Sequence, residues 1–183
     1  FGMLDERSVQ EAVQNVKRYL SDDLLKKEKF QKVVFDTYMR NHQESLDLAE
    51  HIFSTNRSNL WTIVISYYSM FYIANAVLYS LGYKVGDKIA HKITADALIT
   101  VVRTKLKASL LEEFETAQEE ASLIAGTKTD LLIGSFDAER EKRSFFQYTT
   151  TEEIKSARAK TSFERARVFA TEMRKLLSDV PKR

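Results

Sequence analysis

The basic side chains of this 183-residue chain, which could attract an anionic partner, are concentrated toward its end. Residues 138–183 hold 12 Lys and Arg against 7 Asp and Glu, and they include Arg140, Lys142 and Arg143. Such a local excess of positive charge could steer a polyanion toward this region. Residues 107–137 hold 2 basic and 7 acidic side chains, although the net charge of the whole chain is only +2. Mixed charge of this kind also fits a solvated helix face, and both interpretations stay open.

Several common catalytic centres have no counterpart in the sequence. The absence of cysteine excludes thiolate ligands, disulfides and cysteine nucleophiles. The three histidines, His42, His51 and His91, do not form pairs at metal-binding spacing. No glycine-rich phosphate loop and no nucleophile elbow occurs. We therefore expect neither a metal site nor a cofactor.

The elements that must position these residues are helices. With only 5 Gly and 1 Pro the chain lacks the turn residues of an all-β fold, and its apolar share of 44% is enough for one core. Apolar residues at helical spacing predict several helices, with 127–137 left as a loop or a continuation of the preceding helix. The predicted helices are Asp5–Leu20, Lys29–Phe53 with a break left open at Arg40–Gln43, Leu60–Leu81, Ile89–Val102, Lys107–Leu123, Ala138–Phe146 and a last helix capped by Thr149–Thr151.

The segment Leu60–Leu81 is apolar on nearly all faces, which predicts the central helix of a bundle. Four tyrosines lie within it, and each hydroxyl needs a partner if it is buried. The same rings could stack on nucleobases, but packing in the core is the favoured interpretation. The four are Tyr67, Tyr68, Tyr72 and Tyr79.

The same segment carries a family resemblance. From Ser66 it reads Ser-Tyr-Tyr-Ser-Met-Phe-Tyr-Ile-Ala-Asn-Ala-Val-Leu and ends at Gly82, which resembles the core helix of the HEPN (higher eukaryotes and prokaryotes nucleotide-binding) family. Ala90-His91-Lys92 is similar to the start of the helix that follows in that family. The stretch Arg143–Tyr148, with Thr151-Glu152-Glu153 after it, resembles the family's last two elements. The match covers roughly residues 42–178.

The resemblance implies an all-α, up-and-down bundle of about five to seven helices that forms a homodimer. It places the bundle at 42–183, treats 1–41 as an N-terminal helical extension, and leaves 107–137 as an insertion or an extended helix. Ribonucleases of this family carry Arg and then His at the start of the last helix, and they cleave RNA without metal. Here Arg143 matches the Arg, but the other position is Tyr148, whose phenol is a poor base near neutral pH.

Three functions follow from this resemblance. The first is a nucleotide- or RNA-binding domain that partners a small nucleotidyltransferase in a toxin–antitoxin or defence unit. Its expected site has Arg143 on phosphate beside Tyr148, with Arg140, Lys142, Ser66, Tyr67 and His91 as further contacts. The second is a metal-independent endoribonuclease in which His91 or another group replaces the missing base. The third is an interaction module without a ligand. Because only the second function is catalytic, the sequence leaves open whether the protein is an enzyme.

The location of the protein is also an expectation. No apolar run reaches the length of a membrane span, and no signal-peptide pattern opens the sequence. We therefore expect a cytoplasmic protein that does not bind a membrane.

Overall fold

The computed structural model describes residues 5–136 and 156–180, without the side chains of 126–136. Within these ranges it contains six α-helices and one two-stranded ribbon, which confirms the predicted all-α helical bundle. The elements are α1 (Glu6–Ser21), β1 (Leu25–Lys27), α2 (Lys32–Ser54), α3 (Asn59–Ser80), β2 (Tyr83–Val85), α4 (Ala90–Val101), α5 (Ala108–Phe136) and α6 (Ser156–Asp179), with a 3-10 turn at Arg103–Lys105.

Helix α3 is the central helix of the bundle, as its sequence predicts. It packs against α2, α4, α5 and α6. The Ser58 side chain caps its start by accepting from the Trp61 amide at 3.2 Å, and Gly82 follows its end with a φ of +91° that suits glycine. The expectation that no apolar run reaches the length of a membrane span was wrong: by length and composition α3 could cross a membrane, but 67% of its apolar window is buried. That burial is the pattern of a core helix in a soluble bundle.

Helix α2 runs without interruption through Arg40–Gln43, where the sequence left a break open. The polar stretch stays helical because His42 is fully buried and both of its ring nitrogens are hydrogen-bonded. The expected boundary between 1–41 and 42–183 therefore falls inside this helix.

The last helix, α6, also contributes buried side chains to the core, where it packs against α3. Ala166, Phe169, Ala170 and Met173 are buried, as the helical spacing predicts. Phe169 stacks on Phe114 of α5 with ring centroids 5.5 Å apart. The small alanines allow α6 to approach α3 closely. The predicted helix Ala138–Phe146 and the caps at Thr149–Thr151 lie outside the described residues.

The acidic helix α5 continues to Phe136, so residues 127–136 of the stretch left open at 127–137 continue the preceding helix, and residue 137 lies outside the described residues. Its charges face the basic last helix. Glu120 binds Arg158 at 2.8 Å and Arg165 at 3.3 Å, and Arg165 also binds Glu113. Two of the basic side chains that suggested a polyanion site are therefore paired within the bundle.

The sequence pattern at Tyr83–Gly86, which follows the glycine at the end of α3, predicts a short turn, but Tyr83–Val85 form a strand. Strand β2 pairs antiparallel with β1, with Leu25 opposite Val85 and Lys27 opposite Tyr83. Gly86 closes this ribbon by donating to the Leu24 carbonyl at 2.9 Å, and a β-carbon at Gly86 would lie 2.9 Å from the same oxygen. Strands of three residues are too short to show an alternating pattern in the sequence.

Candidate functional site

The expected site residues fall into two groups. Arg140, Lys142, Arg143 and Tyr148 lie outside the described residues, so their placement stays a prediction. Ser66, Tyr67 and His91 are described, in the central helix and at the start of α4. The geometry below therefore concerns the α3–α4 side of the molecule.

Tyr67 and His91 are brought together by the packing of α4 against α3. The Tyr67 hydroxyl lies 2.7 Å from Nδ1 of His91. Tyr67 is 2% exposed, whereas His91 is only half-buried because it lies in the first turn of its helix. The pair thus links the core of the bundle to its surface.

Aromatic rings surround the imidazole. The ring of Phe71 lies 4.5 Å from that of His91, and Tyr68 approaches it edge-on at 5.7 Å. Phe114 packs on Tyr67 from the other side at 5.8 Å. These contacts restrict the rotation of both rings, so the hydrogen bond between them has a fixed direction.

Burial keeps both members of the pair uncharged near neutral pH. It lowers the pKa of His91 below the usual value of 6.5. It raises the pKa of the Tyr67 phenol, so the hydroxyl keeps its proton. The arrangement at pH 7 is therefore a neutral phenol bonded to a neutral imidazole.

The chain enters α4 through a strained residue. Ile89 has φ +46° and ψ +31°, a left-handed conformation that is rare for a β-branched side chain, and it makes no side-chain cap. Its side chain is 55% exposed. Lys88 and Lys92 on either side are exposed, as is Asp87. The turn therefore presents two ammonium groups and one carboxylate next to His91.

An exposed aromatic stripe on α3 leads to this turn. Trp61 is 55% exposed and Tyr68 is 38% exposed, and both lie on one face of the helix with the half-buried Ile65 and Tyr72. The sequence interpretation missed this face because it took α3 as apolar all round. The signal was present in the spacing of the aromatic residues: Trp61, Tyr68 and Tyr72 are seven and four residues apart, as one helix face requires.

Ser66 is not part of this surface. It is 1% exposed, and its hydroxyl has no hydrogen-bond partner within the ranges that the structure describes. Because Ser66 is next to Tyr67 on the helix, its side chain leaves α3 about 100° away from that of Tyr67.

The other two histidines have different surroundings. His42 is buried between Ser69 and Arg174, and burial lowers its pKa. His51 is exposed near the end of α2. Among the described residues no group of three or more His, Asp and Glu side chains could hold a metal ion.

Comparison of the sequence with models of protein families and with curated proteins gives no match. The resemblance to the HEPN family therefore depends on the motifs themselves, above all on the tyrosine-rich segment of α3 and on Ala90-His91-Lys92.

Proposed function

We propose that the protein is a HEPN-like domain that binds a nucleotide or single-stranded RNA. The observation that supports this most is the Tyr67–His91 pair next to the exposed ring of Tyr68. Single-stranded nucleic acids are bound by exposed aromatic rings beside basic and hydrogen-bonding groups. The α3–α4 surface offers that combination in one place.

Each part of this surface has a chemical task in the proposal. Tyr68 and Trp61 stack on bases, and their positions on α3 are about 10 Å apart along the helix axis. His91 forms a hydrogen bond with the ligand, and Lys88 and Lys92 contact phosphate groups. Because the chain carries a net charge of only +2, stacking contributes more than long-range attraction.

The remaining parts of the proposal come from the resemblance. They are a homodimer, a cytoplasmic location and a small nucleotidyltransferase as the partner in a toxin–antitoxin or defence unit. In the same proposal Arg143 binds phosphate with Tyr148 beside it, and Arg140 and Lys142 add contacts.

A metal-independent endoribonuclease is the second candidate. The observation that favours it is the lowered pKa of His91, because a general base must be unprotonated at the working pH. In that mechanism His91 takes the proton of a ribose 2′-hydroxyl while Arg143 stabilises the charge on phosphate.

An interaction module without a ligand is the third candidate. The exposed Trp61 favours it, because tryptophan and tyrosine are enriched at protein–protein interfaces.

Fluorescence anisotropy with a labelled, mixed-sequence RNA strand of about ten nucleotides tests the proposed function. Wild type should bind, and His91→Ala should bind at least about tenfold more weakly because a hydrogen bond to a charged group is lost. His51→Ala is the matched control and should bind like wild type, since that histidine lies outside the site. Absence of binding by a folded wild-type protein would exclude an RNA-binding function.

The alternatives separate in a second assay with the same RNA. Incubation in EDTA, wild type against Arg143→Ala, detects metal-independent cleavage, and light scattering gives the oligomeric state. Products ending in 2′,3′-cyclic phosphate that disappear in the variant would establish the ribonuclease. Intact RNA bound to a dimer would support the binding function.

A further inference from the structure

The proton of the Tyr67 hydroxyl decides what His91 can do. Tyr67 is 2% exposed, so its hydroxyl must find an acceptor inside the protein or remain unpaired. In the ranges that the structure describes, the only hydrogen-bond partner of this hydroxyl is Nδ1 of His91, at 2.7 Å. The phenol keeps its proton at neutral pH and therefore donates it to that nitrogen.

This donation fixes the tautomer of the imidazole. A neutral imidazole carries one proton, and because Nδ1 accepts from Tyr67, the proton lies on Nε2. Nε2 of His91 has no hydrogen-bond partner in the described part of the chain. The half-buried ring therefore presents an N–H donor that none of the described residues occupies.

We infer that His91 donates a hydrogen bond from Nε2 to a phosphate oxygen of the bound nucleotide or RNA, and that Tyr67 is the positioning residue that fixes this tautomer. The inference rests on the proposed function and names the role of one side chain in it. Phosphate is the acceptor that fits best, because the exposed Lys88 and Lys92 are three residues before and one residue after His91 in the sequence.

The same tautomer argues against His91 as a base. A base needs a lone pair at the nitrogen that faces the ribose, so the proton would have to move to Nδ1. Tyr67 would then accept from Nδ1, and its own proton would lose its acceptor in a buried position. The donor role of His91 and its role as a base thus require opposite proton positions on one ring.

The free protein tests the proton position without any ligand. Long-range proton–nitrogen NMR spectra of the three histidines identify the tautomer of each neutral ring. We expect His91 in the Nε2–H form in wild type, and a mixture of both tautomers in Tyr67→Phe, which removes only the hydroxyl. A His91 protonated on Nδ1 in wild type would overturn the inference whether or not RNA binds.

Substitution of His91 tests the donation in the complex. The side-chain amide of Gln can place an N–H near the position of Nε2, whereas Ala cannot. The amide cannot act as a general base, so His91→Gln keeps the donor and removes the base. In the anisotropy assay we expect His91→Gln to bind RNA within a few-fold of wild type and His91→Ala to lose about tenfold or more. Circular dichroism verifies that each variant is folded.

The outcomes separate the inference from the proposed function. Equal loss in folded His91→Gln and His91→Ala would overturn the donor role while RNA binding by wild type stands. RNA cleavage that disappears in both variants would also overturn it, because it would identify a base. A folded wild-type protein that binds no RNA would contradict both the proposed function and the donor role of His91. The NMR spectra of the free protein would still test the position of the proton on His91.

Discussion

His42 and His91 are both held by hydrogen bonds from neighbouring helices. Among the described residues, both ring nitrogens of His42 have partners, whereas Nε2 of His91 has none. His42 is fully buried, with Nδ1 donating to the Ser69 carbonyl at 2.8 Å and Nε2 accepting from Arg174 at 3.1 Å. His91 is half-buried, and among the described residues only its Nδ1 has a partner, the Tyr67 hydroxyl. The difference separates a histidine that holds helices together from one that can meet a ligand.

The two rings also carry opposite tautomers. A carbonyl can only accept, so the proton of neutral His42 is on Nδ1, and Arg174 then fits the lone pair of Nε2. In His91 the phenol of Tyr67 donates to Nδ1, which puts the proton on Nε2. A side chain of one type thus serves two purposes because its neighbours decide which nitrogen is protonated.

Removal of the buried histidine should have the largest effect. His42→Ala leaves a cavity and removes one hydrogen bond from the Ser69 carbonyl and one from Arg174, which keeps its bond to Gln43. We expect it to lower the free energy of unfolding by about 2–4 kcal/mol. His91→Ala should cost about 1 kcal/mol, because water can reach the half-exposed position. Urea denaturation of both variants measures this, and equal losses would contradict the distinction between the two histidines.

Loss of the exposed ring beside His91 should weaken binding and leave the fold intact. Tyr68→Ala removes a stacking surface that is worth about 1–3 kcal/mol per base, so RNA affinity should fall roughly 5- to 150-fold. Tyr68→Phe keeps the ring and should bind like wild type. Anisotropy measures the affinities, and a similar loss in the Phe variant would show that the hydroxyl, not stacking, matters.

The stability of the protein should depend on pH through His42. Burial, and then the positive charge of Arg174, lower the pKa of His42 below 6.5, while the bond to the Ser69 carbonyl and the charge of Asp47 oppose that shift. The unfolded chain therefore binds the proton more readily than the folded one, so stability falls as pH drops from about 6.5 toward the lowered pKa.

Denaturation of wild type and His42→Gln at pH 7.5, 6.5 and 5.5 checks this dependence, since Gln does not titrate. The difference in unfolding free energy between the two proteins should shrink as pH falls. The half-buried Asp96, whose pKa burial raises, is present in both proteins and cancels in the difference. A constant difference across this range would mean that His42 does not titrate with folding.

The smallest expected effect concerns the lysine that follows His91. Lys92→Ala should lower the slope of the logarithm of RNA affinity against the logarithm of salt concentration by about 0.7, the loss of one phosphate contact. Lys26→Ala, an exposed lysine on β1, is the control and should leave the slope unchanged. Binding titrations at several salt concentrations measure both slopes, and equal slopes for wild type and Lys92→Ala would place the phosphate elsewhere.

The core could be predicted from the sequence because it depends on local pattern. The all-round apolar character of α3 and the stripe Ala166, Phe169, Ala170 and Met173 of α6 both identify buried helices. The sequence predicts one helix over Lys29–Phe53 but leaves a break open at Arg40–Gln43, because the burial of His42 involves Arg174, which is 132 positions away along the chain. A polar residue that is buried by a distant partner looks like a surface residue in the sequence.

The site could be predicted only in part, for the same reason. Tyr67 and His91 were both candidates, but nothing in the sequence pairs them, since the pairing depends on how α4 packs on α3. The basic charge of the last third indicated a polyanion site. The structure shows that Arg158 and Arg165 neutralise the acidic face of α5, a pairing that composition alone cannot predict.

An RNA titration followed by NMR on labelled histidines tests the central claim most directly, because the chain has only three of them. The account predicts that the signals of His91 shift progressively as RNA is added, while those of buried His42 and exposed His51 stay in place. Unchanged His91 signals, or equal shifts at His51, would contradict a binding site at the start of α4.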